Sequence, residues 1–196
     1  MTIQIDDAGW GCLLLGVLIG AYRVETGEFA FGEISVEHFQ NGAFARKDYL
    51  DVAVTVTDEL LVQLVVGLDE PIEVCRGYVL DGVRAWLSKQ GYTWTTIKVE
   101  GPLQALVENA LLQKLNALGI RVDYRTLTQK QGLLFWHCLR WLKGGNMDAT
   151  RALPEREALA KTGWSSYDIW VSHPYQQAKR LASEAKRARS RARRPW

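Results

Sequence analysis

Alternation opens the chain. Ile3 and Ile5 alternate with polar neighbours, and Gly9 and Gly11 then turn the backbone, which predicts a half-buried strand. A second strand is expected over 13–24, a turn at Thr26-Gly27-Glu28, and a third strand over 29–39. Three strands joined by short turns most simply form an antiparallel meander. The period then changes. Tyr49, Val52, Val56, Leu60 and Leu64 recur at helical spacing and predict a helix over 47–66. Val52, Val54 and Val56 are also β-branched and alternate, so a strand over 50–57 is the competing reading.

Beyond this point strands and helices alternate. Ile72 to Cys75 reads as a short apolar strand, and 79–89 as a helix with Val83, Trp86 and Leu87 on one face and Gly91 at its end. A strand over 93–99 follows. Pro102 then opens a helix that Gly119 stops. A strand over 121–127 and an apolar helix over 133–142, ended by Gly144-Gly145, come next. Residues 144–166 are polar and loop-like, with one helical turn around 154–160, and a last helix covers 174–187. The order implies an α/β fold: a mixed sheet of three antiparallel strands, then alternating strands and helices, flanked by helices. That order resembles the ribonuclease H-like fold. Residues 1–178 are read as a single domain and 179–196 as a basic helix end and tail.

Composition narrows the class. The chain has 196 residues, 47% hydrophobic and 23% charged, as for an ordinary globular protein with a sizeable core. Its eight tryptophans are read as packing residues before ligand-stacking ones. The apolar run 12–21 is too short to span a bilayer, and Asp6 and Asp7 precede it where a signal peptide carries positive charge, so it reads as a buried strand. Cys12, Cys75 and Cys138 are widely separated, as are His38, His137 and His173. Neither set has zinc or disulfide spacing, which fits a reducing, cytoplasmic setting.

Charge is distributed unevenly. Lys179, Arg180, Lys186, Arg187, Arg189, Arg191, Arg193 and Arg194 crowd the end of the chain against Glu184 alone. Because the net charge is only +2, the rest of the chain is net negative. An acidic body with a basic tail suggests a polyanionic partner.

The stretch Ile5-Asp6-Asp7-Ala8-Gly9-Trp10-Gly11 concentrates the candidate chemistry. Two adjacent carboxylates end the first strand and enter a glycine turn. Successive strand residues point to opposite faces, so both cannot face a core without cost. Carboxylates at a strand end are well placed to hold a divalent cation, and Asp-Asp-Ala-Gly also reads simply as a polar turn. The stretch resembles the opening motif of ribonuclease HII, Asp-Glu-Ala-Gly-Arg-Gly. Asp6 falls on that motif's Asp, Asp7 on its Glu, and Ala8, Gly9 and Gly11 match, while Trp10 stands in place of Arg. The later Ala-Ser-(aliphatic)-(aliphatic)-Ala-Lys helix of that family is absent, so the likeness extends to the superfamily. It implies that Asp6 and Asp7 bind Mg²⁺ or Mn²⁺, and that Gly9, Trp10 and Gly11 lie against substrate.

Glu100, in Ile97-Lys98-Val99-Glu100-Gly101-Pro102, is a second candidate. Ribonuclease H-like nucleases, RuvC resolvases among them, place a metal-binding acid on such a strand end. Asp6, Asp7 and Glu100 are therefore the expected metal ligands, facing one cleft. Glu100 equally suits a helix N-terminus on electrostatic grounds. Asp168 is the candidate for a further acid, with Asp148 competing and Glu108 about two turns inside the helix after Glu100. Arg76 could contact phosphate, with Gly77 allowing close backbone approach, or both could belong to a tight turn. Trp136-His137-Cys138 reads as core, and Lys161-Thr162-Gly163-Trp164 as an interaction loop or a Trp-anchored turn. Arg187, Arg189 and Arg191 are candidate phosphate contacts.

The function expected is a nucleic-acid-binding ribonuclease H-like protein that hydrolyses phosphodiesters of RNA, DNA or hybrid with Mg²⁺ or Mn²⁺. The alternative is a non-catalytic nucleic-acid-binding or protein-interaction module on the same fold. An actin-like phosphotransferase is a third class, but its glycine-rich phosphate loops are not evident.

Overall fold

The computed structural model describes residues 1–124 and 132–192. Five strands form one mixed sheet in the order β3-β2-β1-β4-β5. β1 (Ile3–Ala8), β2 (Val17–Arg23) and β3 (Phe29–Ile34) make the antiparallel meander. β4 (Ile72–Cys75) and β5 (Trp94–Ile97) add in parallel beyond β1. Parallel addition needs a crossover, and helices supply it. Between β3 and β4 run α1 (Asn41–Arg46) and α2 (Tyr49–Gln63), and between β4 and β5 runs α3 (Asp81–Gln90). This is the ribonuclease H-like arrangement that the order of elements predicts.

Helices cover both faces of the sheet. On one, Ile3, Ile5, Val17, Ile19, Ile72 and Val74 pack with residues of α2 and α3. On the other, Ala8 and Leu18 pack beneath α4 (Pro102–Ala117) and α5 (Leu133–Leu142). The chain continues through α6 (Pro154–Glu157), α7 (Tyr167–Val171) and the long α8 (Tyr175–Ala192). Among the described residues no helix is long and apolar enough to cross a membrane.

Local chemistry explains most boundaries. Pro102 sits in the first turn of α4, where its missing N–H costs nothing. Gly91 ends α3 in the left-handed region, at φ 85°. The valine-rich segment is helical because burial at helical spacing decides it. Tyr49, Ala53, Val56 and Leu60 all turn inward, and that packing outweighs β-branched propensity.

Three expectations shift. β2 starts at Val17, not at residue 13. Cys12, Leu13 and Leu14 are buried, but in a loop held by residues 159–161: Leu15 N–H donates to Leu159 at 2.8 Å, and Lys161 N–H to Leu13 at 2.9 Å. An apolar run of this kind cannot distinguish a strand from a buried loop. β3 ends at Ile34, and Val36–Phe39 forms a 3₁₀ turn that buries Phe39. Of the strand expected over 121–127, residues 121–123 carry none, and 125–127 lie outside the described residues.

Candidate metal centre and its cavity

Asp6 and Asp7 close the central strand of the sheet. Asp6 is paired with Gly20, on the face covered by α4, and Asp7 with Ile19, on the opposite face. The parallel register Ile5↔Val74 sets Cys75, the last residue of β4, beside Asp6. One carboxylate oxygen from each aspartate and the Cys75 sulfur all lie within 4.8 Å of one another. Asp7 N–H donates to Asp6 Oδ1 at 2.9 Å, and the Cys75 thiol to Asp7 Oδ1 at 3.5 Å.

Burial makes both carboxylates reluctant to ionise. It raises Asp6 above its ordinary range, and it pushes Asp7 up to about 6, with the negative Asp6 adding to the effect. Burial likewise pushes the Cys75 thiol up, reinforced by both aspartates, so it stays protonated. Among the described residues neither aspartate has an ion-pair partner within 4.0 Å. Two cations lie near, but both are committed elsewhere. Arg84 donates to the carbonyls of Cys75 at 2.8 Å and Gly77 at 3.3 Å, and pairs with Asp81. Lys161, fully buried, donates from Nζ to the Gly9 carbonyl at 2.6 Å and lies 4.9 Å from the centre of the Phe39 ring. Burial brings its ammonium down to about 8.

The turns around the pair are tight. A Cβ on Gly77 would stand 2.1 Å from Asp7 Oδ1, so glycine is required for this approach of the β4–α3 turn. Gly9 adopts φ 99°, which ordinary side chains disfavour, and so presents its carbonyl to Lys161. Trp10 packs edge-on against Tyr49 and Phe39, with ring centres 5.4 and 6.2 Å away. It is thus part of an aromatic cluster and not a free platform.

A cavity of about 440 Å³ opens beside the pair, lined by Asp7, Gly9, Trp10, Gly11, Glu108 and Phe135 among others. Glu108 extends from α4. Its Oε1 accepts the Gln104 amide at 3.2 Å, and the Tyr124 hydroxyl also bonds to its carboxylate. Burial raises its carboxyl above the ordinary range, and Asp6 adds to that rise.

The remaining sequence candidates lie elsewhere. Glu100 is exposed, pairs with Lys98 and is not drawn to Asp6. Val99 is the buried residue there, at 7% exposure, and Lys98 and Glu100 on either side of it are exposed. Asp168 is exposed in the first turn of α7, where its carbonyl accepts the Ser172 N–H at 2.9 Å. Asp148 accepts the Tyr175 N–H at 3.1 Å at the start of α8. Arg76 is exposed just past Cys75. Arg187 and Arg189 are exposed on α8, with Arg189 donating to the Ser165 hydroxyl at 2.6 Å. Arg191 lies on the same helix, with its side chain outside the described residues.

Sequence reasoning missed Arg84, read Lys161 only as part of an interaction loop or a Trp-anchored turn, and placed Glu108 behind Glu100. The available signal for Glu108 was a carboxylate on the apolar stripe of α4, flanked by Leu103, Val107, Leu111 and Leu112. It also kept the cysteines apart, whereas Cys12 and Cys138 meet as free thiols with their sulfurs 3.6 Å apart.

No protein-family model matches the chain, and no curated protein matches it. Among solved structures it is similar to the catalytic core domain of BIV integrase, at 14% identity and a TM-score of 0.34, over 95% of this chain and 97% of that one. Strand order and register define the fold, a ribonuclease H-like α/β sheet with two aspartates at the end of its central strand.

Proposed function

We propose that this chain binds nucleic acid and hydrolyses phosphodiester bonds with Mg²⁺ or Mn²⁺ held by Asp6 and Asp7. One observation carries the reading: two half-buried carboxylates converge beside an open cavity with no ion-pair partner among the described residues. Buried charges are normally paired or bound to metal. The donor set fits a hard cation through its oxygens. Cys75, held as a thiol, does not ligate such an ion; it donates a hydrogen bond that orients Asp7. Glu108, which lines the same cavity as Asp7, offers a further carboxylate.

When bound, the cation would polarise a phosphoryl oxygen and lower the proton affinity of water. The chain's own groups prepare the site. Lys161 and Gly9 fix the turn after Asp7, Gly77 lets β4 close on Asp7, and Arg84 locks that turn. Glu100 and Asp168 have no part in this reading. A non-catalytic nucleic-acid-binding or protein-interaction module is the second reading, favoured by the soft thiol of Cys75 beside the two aspartates.

Calorimetric titration with Mn²⁺, beside cleavage assays on labelled DNA, RNA and hybrid, tests the proposal. Wild type should bind Mn²⁺ and cleave at least one substrate. Asp6→Asn should lose both, by more than the roughly 10–100-fold that removing an outer-shell partner costs. A wild-type protein that neither binds Mn²⁺ nor cleaves any substrate overturns the catalytic reading.

The basic end of α8 belongs to the same proposal, with Arg187, Arg189 and Arg191 as sequence-independent phosphate contacts. Removing residues 186–196 should weaken binding to generic duplexes and flatten its salt dependence, with little change in melting temperature. Unchanged binding together with lower stability would make the segment an intramolecular clamp.

A further inference from the structure

α5 has two working faces. Leu134 and Phe135 line the cavity beside Asp7, and Cys138, Leu139 and Leu142 are buried. Leu133, Trp136, His137 and Arg140 line a different, open cavity of about 240 Å³, together with Met147 and Tyr175. The aromatic wall of this slot is packed edge to face. The Trp136 ring lies edge-on to Tyr175 at 5.4 Å and to Trp170 at 4.9 Å.

His137 and Arg140 also line a neighbouring cavity of about 350 Å³, with Arg121, Trp141 and Arg156. Three guanidiniums therefore border one space, and among the described residues none pairs with a carboxylate within 4.0 Å. Arg140 Nε donates to the Gly145 carbonyl at 3.4 Å. Arg156 donates to the Trp141 carbonyl, with its guanidinium 4.5 Å from the centre of the Trp141 ring. These contacts hold the two side chains in place and leave other N–H groups without protein acceptors among the described residues. Arginine stays charged at any physiological pH, so like charges gathered here repel unless an anion joins them.

We propose that this outer face of α5 binds a nucleotide unit, with its phosphate on Arg121, Arg140 and Arg156 and its base in the slot against Trp136 and Tyr175. The guanidinium fork matches phosphate geometry, and aromatic faces accept any base. A bare phosphate would leave the apolar slot empty, and a neutral apolar ligand would leave the arginines unmatched. A nucleotide satisfies both halves. The site is separate from Asp6 and Asp7 and does not rest on their being catalytic. The unit could come from a single strand or from a free nucleotide, which share this chemistry.

The full chain tests this without divalent metal, so failure of cleavage and failure of this site remain distinguishable. Fluorescence polarisation follows a labelled 12-residue oligo(dT) strand at fixed ionic strength, with AMP and inorganic pyrophosphate as competitors. Wild type should bind the strand, and Arg121→Gln/Arg140→Gln, both at exposed positions, should weaken binding at least about tenfold. Tyr175→Leu should weaken the strand about fivefold or more while leaving pyrophosphate competition unchanged. Competition by AMP at lower concentration than pyrophosphate supports the site with a free nucleotide as its source. Strand binding that AMP does not displace supports it with the strand as source. Wild-type-like binding by the double arginine variant overturns the proposal. So does a Tyr175→Leu variant that loses pyrophosphate and strand equally, or a wild type that binds no strand.

Discussion

The two ends of the central sheet hold buried charge in opposite ways. At one end, Arg23, only 6% exposed, sits opposite Ile3. It donates to both Glu70 oxygens, at 3.0 and 3.1 Å, and to the Leu64 carbonyl at 2.8 Å, and it pairs with Glu28. That pairing holds the Glu70 carboxyl below its ordinary range. At the other end, Asp6 and Asp7 are raised above theirs by burial. The same strand pair, β1 and β2, joins both ends, so the difference lies in what faces the charge. One end is complete within the chain. The other has carboxylates with no ion-pair partner within 4.0 Å among the described residues, beside a cavity, the condition a bound cation relieves.

The acidic end offers the largest effect. Glu108→Gln should lower metal-dependent cleavage by about a hundredfold, because it removes a carboxylate from the cavity that Asp7 also lines. Glu100→Gln, on an exposed side chain paired with Lys98, should leave cleavage within about twofold of wild type. Assaying both variants on one substrate checks the assignment. A large loss in Glu100→Gln with none in Glu108→Gln would return the third ligand to the strand end.

That pair of variants also marks how far the sequence was legible. The sheet and its helices were readable because their signals are local: alternation in β1, helical spacing in α2, Pro102 and Gly119 around α4. Asp6 and Asp7 were readable because strand, acids and glycine turn are contiguous. Closeness to a strand end says nothing of which way a side chain points: Glu100 is exposed and pairs with Lys98, and Val99 is the buried residue beside it. Lys161 and Lys143 lie in or beside a polar stretch, yet both are buried. Lys161 reaches Gly9 across 152 positions, and Lys143 reaches the carbonyls of Met147, Trp170 and His173. A contact as distant as that of Lys161 with Gly9 leaves no periodic trace.

At the paired end the effect falls on stability and not on activity. Arg23→Met removes the cation and leaves Glu70 buried without it, which should cost about 3–5 kcal/mol. Urea denaturation should report the loss, and Mn²⁺ affinity of the folded protein should not change. If Mn²⁺ affinity falls with stability, the two ends are coupled through the sheet, and the comparison between them loses its independence.

The smallest effect tests the cost at the acidic end directly. In the unfolded chain Asp7 ionises near its ordinary 3.8, whereas in the folded chain it does so at about 6. Between these values the native state keeps a proton that the unfolded state has lost. Stability therefore falls as pH rises through this window and stays lower above it. Asp7→Asn removes the ionisation while keeping the size. Without divalent ions, the variant should melt a few degrees above wild type at about pH 7, a gain of roughly 1–3 kcal/mol. Below about pH 3, where Asp7 is protonated in both states, the difference should vanish. Added Mn²⁺ should raise the melting temperature of wild type and narrow the gap, because only the native site binds it. Differential scanning calorimetry at both pH values, with and without Mn²⁺, reads all of this. If Asp7→Asn melts at or below wild type at about pH 7, Asp7 carries no uncompensated charge there, and the contrast with Arg23 and Glu70 disappears.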